Sequence, residues 1–353
     1  MGCAVALRLA QRGLQPLVLE RSVPGAEASS AAAGILAPQK EVDGPGPLLE
    51  MALASRARFP ALVAELQAAT GMDIGYRLSG VLVLADGEGA AALEERAAWQ
   101  RRIGLRVELL SAAEAKRLEP ALGEHTVALR LAEEGQVDPP QLMRALQLAA
   151  ARAGAEFATA YVRRVHHDGI TVRGVDVEGE TIESPIVVVA AGSWSGLVDG
   201  AALPARAVRP IRGQMVELET RPAPFQHVLF GHAGYLVARS DGRIAVGSTM
   251  EEVGFRKEVT AAGLERLLRM ACRLVPALAE APVRRFWAGF RPATEDRLPF
   301  LGPTPIRGLH LATGHLRNGI LLTPITADAV VAAIVGEPPP IDLAPFSVAR
   351  LAV

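Results

Sequence analysis

Cysteine is nearly missing from this chain: only Cys3 and Cys272 occur in 353 residues. Two cysteines exclude a disulfide framework, and no CxxC or paired Cys/His spacing offers a metal site. Aromatic residues are scarce as well, with three tryptophans and three tyrosines. Neither sign of charge dominates. The formal net charge is −1, and no basic cluster is dense enough to argue for nucleic acid or an anionic membrane surface. Residues counted as hydrophobic make up 50% of the chain, but alanine supplies much of that. No apolar run reaches the roughly 20 residues that a membrane span needs. No secretory leader is visible, so the expected address is the cytoplasm. No Ser/His/Asp arrangement and no paired catalytic carboxylates can be identified, which leaves difficult chemistry to a cofactor.

What is present alternates between two kinds of pattern, and the length favours two domains over one core. Helices are expected at 48–70, 87–103, 111–117 and 139–153, the last with Asp138 as N-cap and Pro139 at its first position. Gly80–Ala85 reads as a strand. Short strands follow over Ala155–Val165, Gly169–Arg173 and Thr181–Ile182, and Ile186–Ala190 is apolar on both faces, as a covered parallel strand must be. His166 and His167 read as solvated residues of a turn. From Arg209 to Val283 the strands lengthen (Gln214–Glu219, Tyr235–Arg239, Arg243–Ser248) around one helix, 260–275. That change of pattern indicates a separate, mostly antiparallel sheet.

The first twenty residues carry a cofactor signal. Gly2–Gly13 reads as a small-residue helix closed by a glycine, and Pro16–Glu20 as a buried strand ending in an acid. Gly2 and Glu20 have the spacing of the third glycine and the ribose-binding acid of a dinucleotide-binding βαβ unit. The first strand and the two pyrophosphate-facing glycines of that motif are absent from the sequence. The favoured reading places them about 15 residues further upstream. The other reading starts the protein at Met1, with weakened pyrophosphate binding.

Two segments near the C-terminus carry the strongest signal. Phe286–Thr294 (FWAGFRPAT) sets Arg291 among aromatic and glycine residues, where an arginine fork can be desolvated and meet a carboxylate through two parallel hydrogen bonds. Gly314–Leu322 (GHLRNGILL) is a tight turn between the short strand Leu309–Ala312 and an apolar helix over 320–335. Amide groups at such a helix start favour negative charge.

With Ser29–Leu36, Val137–Pro139, Val187–Ser195, Pro210–Gln214, Tyr235–Val237 and Gly247–Met250, these segments occur in the order found in the D-amino-acid oxidase-like flavoproteins. The chain resembles that family from Gly2 to about Pro339, and within it the glycine oxidases of thiazole (thiamine) biosynthesis. The resemblance implies an α/β fold: a Rossmann-like FAD-binding domain (1–72, 135–208, 286–353) interleaved with a mostly antiparallel α+β substrate domain (73–134, 209–285). It implies FAD-dependent oxidation of glycine, other small amino acids or N-methyl amines, with dioxygen reduced to hydrogen peroxide and no nucleic-acid or membrane partner. It also implies a homotetramer. The runners-up are a sarcosine oxidase, a D-amino-acid dehydrogenase and a flavin-free, truncated, non-enzymatic relative.

Site residues follow from the same resemblance. Arg291 and Tyr235 would clamp the substrate carboxylate, Met250 would line the pocket over the flavin, and Arg317 would stand at the flavin ring. FAD would be held by Gly2, Glu20, Arg21, Ser29, Ser30, Ala33, Gly34, Leu36, Val162, Gly192 and Trp194, and by the run His315, Leu316, Arg317, Asn318, Gly319, Ile320 and Leu321. No cysteine follows Cys272, so the flavin is expected to be non-covalent. No metal is expected.

Overall fold

The computed structural model describes residues 1–352. Helix α1 (Gly2–Gln11) buries seven residues, and Gly13 closes it with a φ of +77°. Its alanines let it lie against two later helices, α5 (Pro139–Arg152) and α7 (Thr323–Val335), in one core with α2 (Pro47–Thr70). Small residues make such close approach possible. Strand β1 (Leu17–Glu20) leaves α1 and pairs in parallel with β5 (Glu156–Thr159). A second parallel pair, β9 (Val187–Val189) with β16 (Leu309–Thr313), continues antiparallel into β15 (Phe300–Pro303). Among the described residues β1 and β9 are each paired on one side only. The start of α1 lies between them, where a Cβ on Gly2 would meet the Ala190 side chain at 3.8 Å.

Strands β6 (Val162–His167), β7 (Val172–Val177) and β8 (Glu180–Glu183) form a small antiparallel sheet. His166 and His167 belong to β6 rather than to a solvated turn. His166 pairs with Asp176, and His167 Nδ1 accepts the Gly169 amide at 3.1 Å.

The largest sheet has eight strands in the order β14-β10-β13-β12-β11-β2-β4-β3. In chain order these are β2 (Val81–Ala85), β3 (Glu108–Ser111), β4 (Val127–Leu131), β10 (Arg209–Glu219), β11 (Val228–Gly231), β12 (Gly234–Ala238), β13 (Arg243–Gly247) and β14 (Val283–Ala293). All neighbours are antiparallel except β11 and β2. Helix α6 (Ala261–Leu274) buries Leu267, Met270, Ala271 and Leu274 against one face, and its N-cap Thr260 accepts the Gly263 amide at 3.1 Å. The other face packs on α3 (Glu88–Arg102) through Leu93 and Ala97. Helix α4 (Ala112–Leu118) is closed by a capping box between Ser111 and Glu114.

Strand β14 pairs with β10 from Val283 to Ala293 and so carries most of Phe286–Thr294. Two expectations change. Helix α7 begins at Thr323 and not at 320, because Pro324 has no amide to give and fits only the first turn. Asp138 stands at the N-cap of α5 but does not cap it; its Oδ2 takes the Arg243 guanidinium at 2.6 Å.

One buried acid sets a pH dependence. Glu134 accepts the Gln39 amide at 3.1 Å and Arg56 at 3.1 Å through Oε1, while its other oxygen has no partner. Arg56 is shared with Glu133 at 3.0 Å, and burial outweighs it, raising the Glu134 carboxyl to about 8. The unfolded chain loses this proton near pH 4.5, the folded chain near 8. Stability from this group is therefore full below about pH 4.5 and declines as pH rises to about 8. Glu134→Gln removes the decline: its melting temperature should gain at least about 2 °C on wild type between pH 5 and pH 9. A constant difference across that range would contradict the assignment.

Candidate functional site

A cavity of about 170 Å³ opens where the start of α1, the turn before α7 and the large sheet converge. Its most telling wall comes from β10 and β14, where Gly213 faces Gly289. A Cβ on Gly213 would fall 2.1 Å from Arg291 Nη1 and 2.5 Å from its Cζ. The missing side chain is the space the guanidinium occupies. Nη1 donates to the Thr249 carbonyl at 3.1 Å, Nη2 donates to Ser248 Oγ, and the Tyr235 hydroxyl lies 3.3 Å from the same Oγ. No carboxylate of the described residues lies within ion-pair distance of Arg291, and burial lowers its pKa. A desolvated, unpaired cation is costly. Such a group favours an anionic ligand.

A second cation, Arg317, is already neutralised. It donates to Glu41 at 2.9 Å, and that carboxylate raises its pKa. Glu41 ends the one-turn helix Pro38–Glu41 and lines the cavity. Leu316, beside Arg317, adopts a φ of +47°, which costs an L-residue about 1–2 kcal/mol. Its amide donates to the Pro292 carbonyl at 2.8 Å, so β14 holds the turn in that shape. His315 is buried, donates to or accepts from Thr326 Oγ1 at 3.1 Å, and has its pKa lowered by burial to about 3. It is neutral at physiological pH.

Two sets of backbone donors face the same space. The amides of Gly2, Cys3 and Ala4 precede the first intrahelical bond of α1, Val5 to Met1, and those of Gly319 and Ile320 have no acceptor among the described bonds. Gly34 brings the segment after the one-turn helix Ala28–Ala31 against Val137, with a φ of +75°; a Cβ there would fall 2.1 Å from the Val137 carbonyl oxygen.

The structure brings Ser29, Ala33, Gly34, Gly192, Tyr235, Arg291, His315, Leu316, Arg317, Gly319 and Ile320 together on the cavity. It places others elsewhere. Met250 is 51% exposed and outside the lining, whereas Ser248, just past the end of β13, is on it. Leu36 is core, Ser30 ties back to the Gly25 carbonyl at 2.6 Å, and the Leu321 carbonyl accepts from Ser55 at 2.6 Å. Val162 and Asn318 also lie off the lining, Asn318 with its Oδ1 unpartnered. Arg21 stacks 3.8 Å from the Trp194 ring, and Glu20 accepts the Ser22 amide at 3.1 Å at the end of β1. Sequence reasoning missed Glu41, Ser248 and Thr249.

Fold and cavity define a dinucleotide-cofactor protein whose large sheet places an arginine without a carboxylate partner on the cavity wall. Residues 1–333 match the family described as FAD dependent oxidoreductase, and the chain belongs to that family. It is 37% identical over 358 residues to a glycine oxidase of Geobacillus kaustophilus, covering 99% of this chain and 94% of that protein. The crystal structure of glycine oxidase from that organism superposes with a TM-score of 0.95 at 38% identity, over 99% of this chain and 95% of that one. A bifunctional ThiO/ThiG protein of Synechocystis is 39% identical over 93% of this chain, which spans 48% of that longer protein.

The residues present fit FAD. The α1 amides suit a diphosphate, Glu20 at the end of β1 suits a ribose hydroxyl, and the free amides of Gly319 and Ile320 suit an electron-rich ring edge.

Gly213→Ala should push the Arg291 guanidinium out of place. Affinity of the FAD-loaded protein for acetate, read from the flavin absorbance, should fall at least tenfold with FAD content unchanged. Unaltered acetate affinity would show that Arg291 does not depend on this glycine.

Proposed function

We propose that this chain catalyses FAD-dependent oxidative deamination of glycine and small N-methyl amines, in service of thiazole assembly. Glycine, dioxygen and water would give glyoxylate, ammonia and hydrogen peroxide. The single observation that carries the substrate side is Arg291, half-buried on the cavity wall with no carboxylate partner among the described residues. Family membership and the glycine oxidase relatives support the reaction class. The thiazole role rests on ThiO/ThiG relatives, of which the chain spans about half.

FAD, when bound, supplies a two-electron acceptor for the hydrogen on Cα. Arg291 receives the substrate carboxylate by a charge-assisted fork, and Tyr235 adds a neutral donor through its hydroxyl. Fixing one end of so small a molecule restricts the direction of its Cα–H bond, a positioning effect worth several kcal/mol. The cavity walls from Ala33, Met215 and Ile320 are apolar and favour the neutral amine, whose lone pair drives the reaction. Gly319 and Ile320 amides, in the turn before α7, favour negative charge that develops beside them. Non-covalent FAD belongs to this reading. Cys3 is the cysteine that lines the cavity, and burial raises its thiol pKa, which disfavours the reactive thiolate. Residues 73–134 and 209–285 would form the substrate domain, and the enzyme would be a cytoplasmic homotetramer using dioxygen.

The clamp is tested by substitution. Arg291→Lys and Arg291→Ala should each lower kcat/KM for glycine more than tenfold, since a hydrogen bond to a charged group contributes about 1.5–3 kcal/mol. Tyr235→Phe should cost less than Arg291→Ala. FAD should be released from all variants on acid denaturation, in wild-type amounts. Near-normal kcat/KM in Arg291→Ala, or a loss matched by lost FAD, would contradict the assignment.

A further inference from the structure

The stretch from Arg21 to Gly34 connects the end of β1 to the cavity wall. Glu20, which suits a ribose hydroxyl, precedes it, and Ala28, Ser29 and residues 31–35 line the cavity. Its far part is tied locally: Trp287 Nε1 donates to the Ala31 carbonyl at 3.1 Å, and Gly34 rests on Val137. Its near part, 21–27, forms neither helix nor strand. Two charged side chains of that part are held from elsewhere in the chain. Glu27 carries one cation on each oxygen, Arg21 Nη2 on Oε1 at 2.9 Å and Lys257 Nζ on Oε2 at 2.7 Å. Arg21 also lies 3.8 Å from the centroid of the Trp194 ring, and that ring packs on Phe255 with centroids 5.0 Å apart. Phe290, which lines the cavity, meets both rings edge-on, at 5.9 Å from Trp194 and 5.5 Å from Phe255. Phe255 and Lys257 therefore reach one stretch by two routes, the first through aromatic rings and the second through a shared carboxylate.

Both residues come from the segment 248–260 that joins β13 to α6, and this segment is braced from inside. Arg212 of β10 is buried and directs its guanidinium there: Nε donates to Glu251 at 2.6 Å, and Nη1 donates to the Glu258 carbonyl at 2.8 Å and to the Arg256 carbonyl at 3.3 Å. Gln214 closes the base of the segment. Its side-chain amide donates to Glu251 Oε1 at 2.8 Å, and its own Oε1 accepts the Thr260 amide at 2.8 Å. Buried donors and acceptors arranged in this way fix the backbone that carries Phe255 and Lys257. The large sheet thus presents an aromatic ring and a cation, from one shaped loop, to the stretch that begins beside Glu20.

We propose that Phe255 and Lys257 retain the cofactor: they clasp Trp194 and the 21–27 stretch beside Glu20, and bound FAD leaves only after the clasp parts. Both are positioning residues that act through Arg21, Glu27 and Trp194. The inference rests on the reading of the α1 amides and Glu20 as the diphosphate and ribose positions, and not on which amine is oxidised. A cofactor lying along a wall leaves when the stretch that borders it moves away, so each tie across that stretch slows departure. One exposed ion pair and one aromatic contact are individually small contributions. Their effect is therefore sought in the rate of release, where changes at an interface are mainly expressed.

The FAD-loaded wild type, Phe255→Ala, Phe255→Tyr, Lys257→Glu and Lys257→Arg are diluted into cofactor-free buffer, and release is followed as the rise in free-flavin fluorescence. Phe255→Ala and Lys257→Glu should each release FAD at least about threefold faster than the wild type, which is about 0.7 kcal/mol at 1.4 kcal/mol per tenfold. Phe255→Tyr keeps the ring and Lys257→Arg keeps the charge, so both should release at close to the wild-type rate. The double variant Phe255→Ala/Lys257→Glu should be faster than either single one. Unchanged release in Phe255→Ala and Lys257→Glu would overturn the proposal. So would Phe255→Tyr and Lys257→Arg releasing as fast as the disruptive variants, or a wild type that holds no FAD. The measurement needs no turnover: a wild type that retains FAD and does not oxidise glycine refutes the proposed reaction and leaves the release rates to decide the clasp.

Discussion

The architecture of the site depends on a half-buried guanidinium that has no counter-ion among the described residues. Arg291 reaches its position because β10 and β14 bring glycine opposite glycine, and because Ser248 and Thr249 at the end of β13 supply uncharged acceptors. An internal carboxylate in place of those acceptors would neutralise the arginine and leave it with little attraction for a ligand. The nearest candidate, Glu41, is engaged by Arg317. The protein thus separates two arginines by function: one paired and positioned, one unpaired and available.

A buried arginine ties the large sheet to the loop on the opposite wall of the cavity. Arg239, at the end of β12, donates to the Val137 carbonyl at 2.7 Å, to Gln136 Oε1 at 2.8 Å and to the Ala33 carbonyl. Burial lowers its pKa to about 10, so it remains charged at neutral pH. Ala33 and Gly34 line the cavity, and the same grip presses Gly34 onto Val137. This contact joins the strand that carries Tyr235 to the loop of Ala33 and Gly34 on the cavity.

Much of this was legible in the sequence because it is local. The glycine-to-acid spacing from Gly2 to Glu20, the arginine among glycines and aromatics at 291, and the double glycine of 314–319 each encode a turn, a close approach or a desolvated charge within a few residues. The doubly apolar run Ile186–Ala190 likewise pointed to a parallel strand, which the structure has at Val187–Val189, half-buried and paired on one side among the described residues. What escaped depends on pairing across long separations. Phe286–Thr294 does not alternate cleanly enough to read as strand, since Gly289 and Pro292 interrupt it; only its partner β10 makes it one. The Glu41–Arg317 pair spans 276 positions in the chain, and Ser248 matters only because Tyr235 and Arg291 converge on it. Asp138 was misread for the same reason, since Arg243 competes with the helix for its carboxylate.

The central claim is that the unpaired charge of Arg291 selects an anion. Glycolate and glycolamide differ little in size and shape, and only glycolate carries the charge. Binding of each to the FAD-loaded protein, titrated through the flavin absorbance at one pH and ionic strength, measures that charge directly. Glycolate is predicted to bind at least a hundredfold more tightly than glycolamide. Equal affinities would contradict the account.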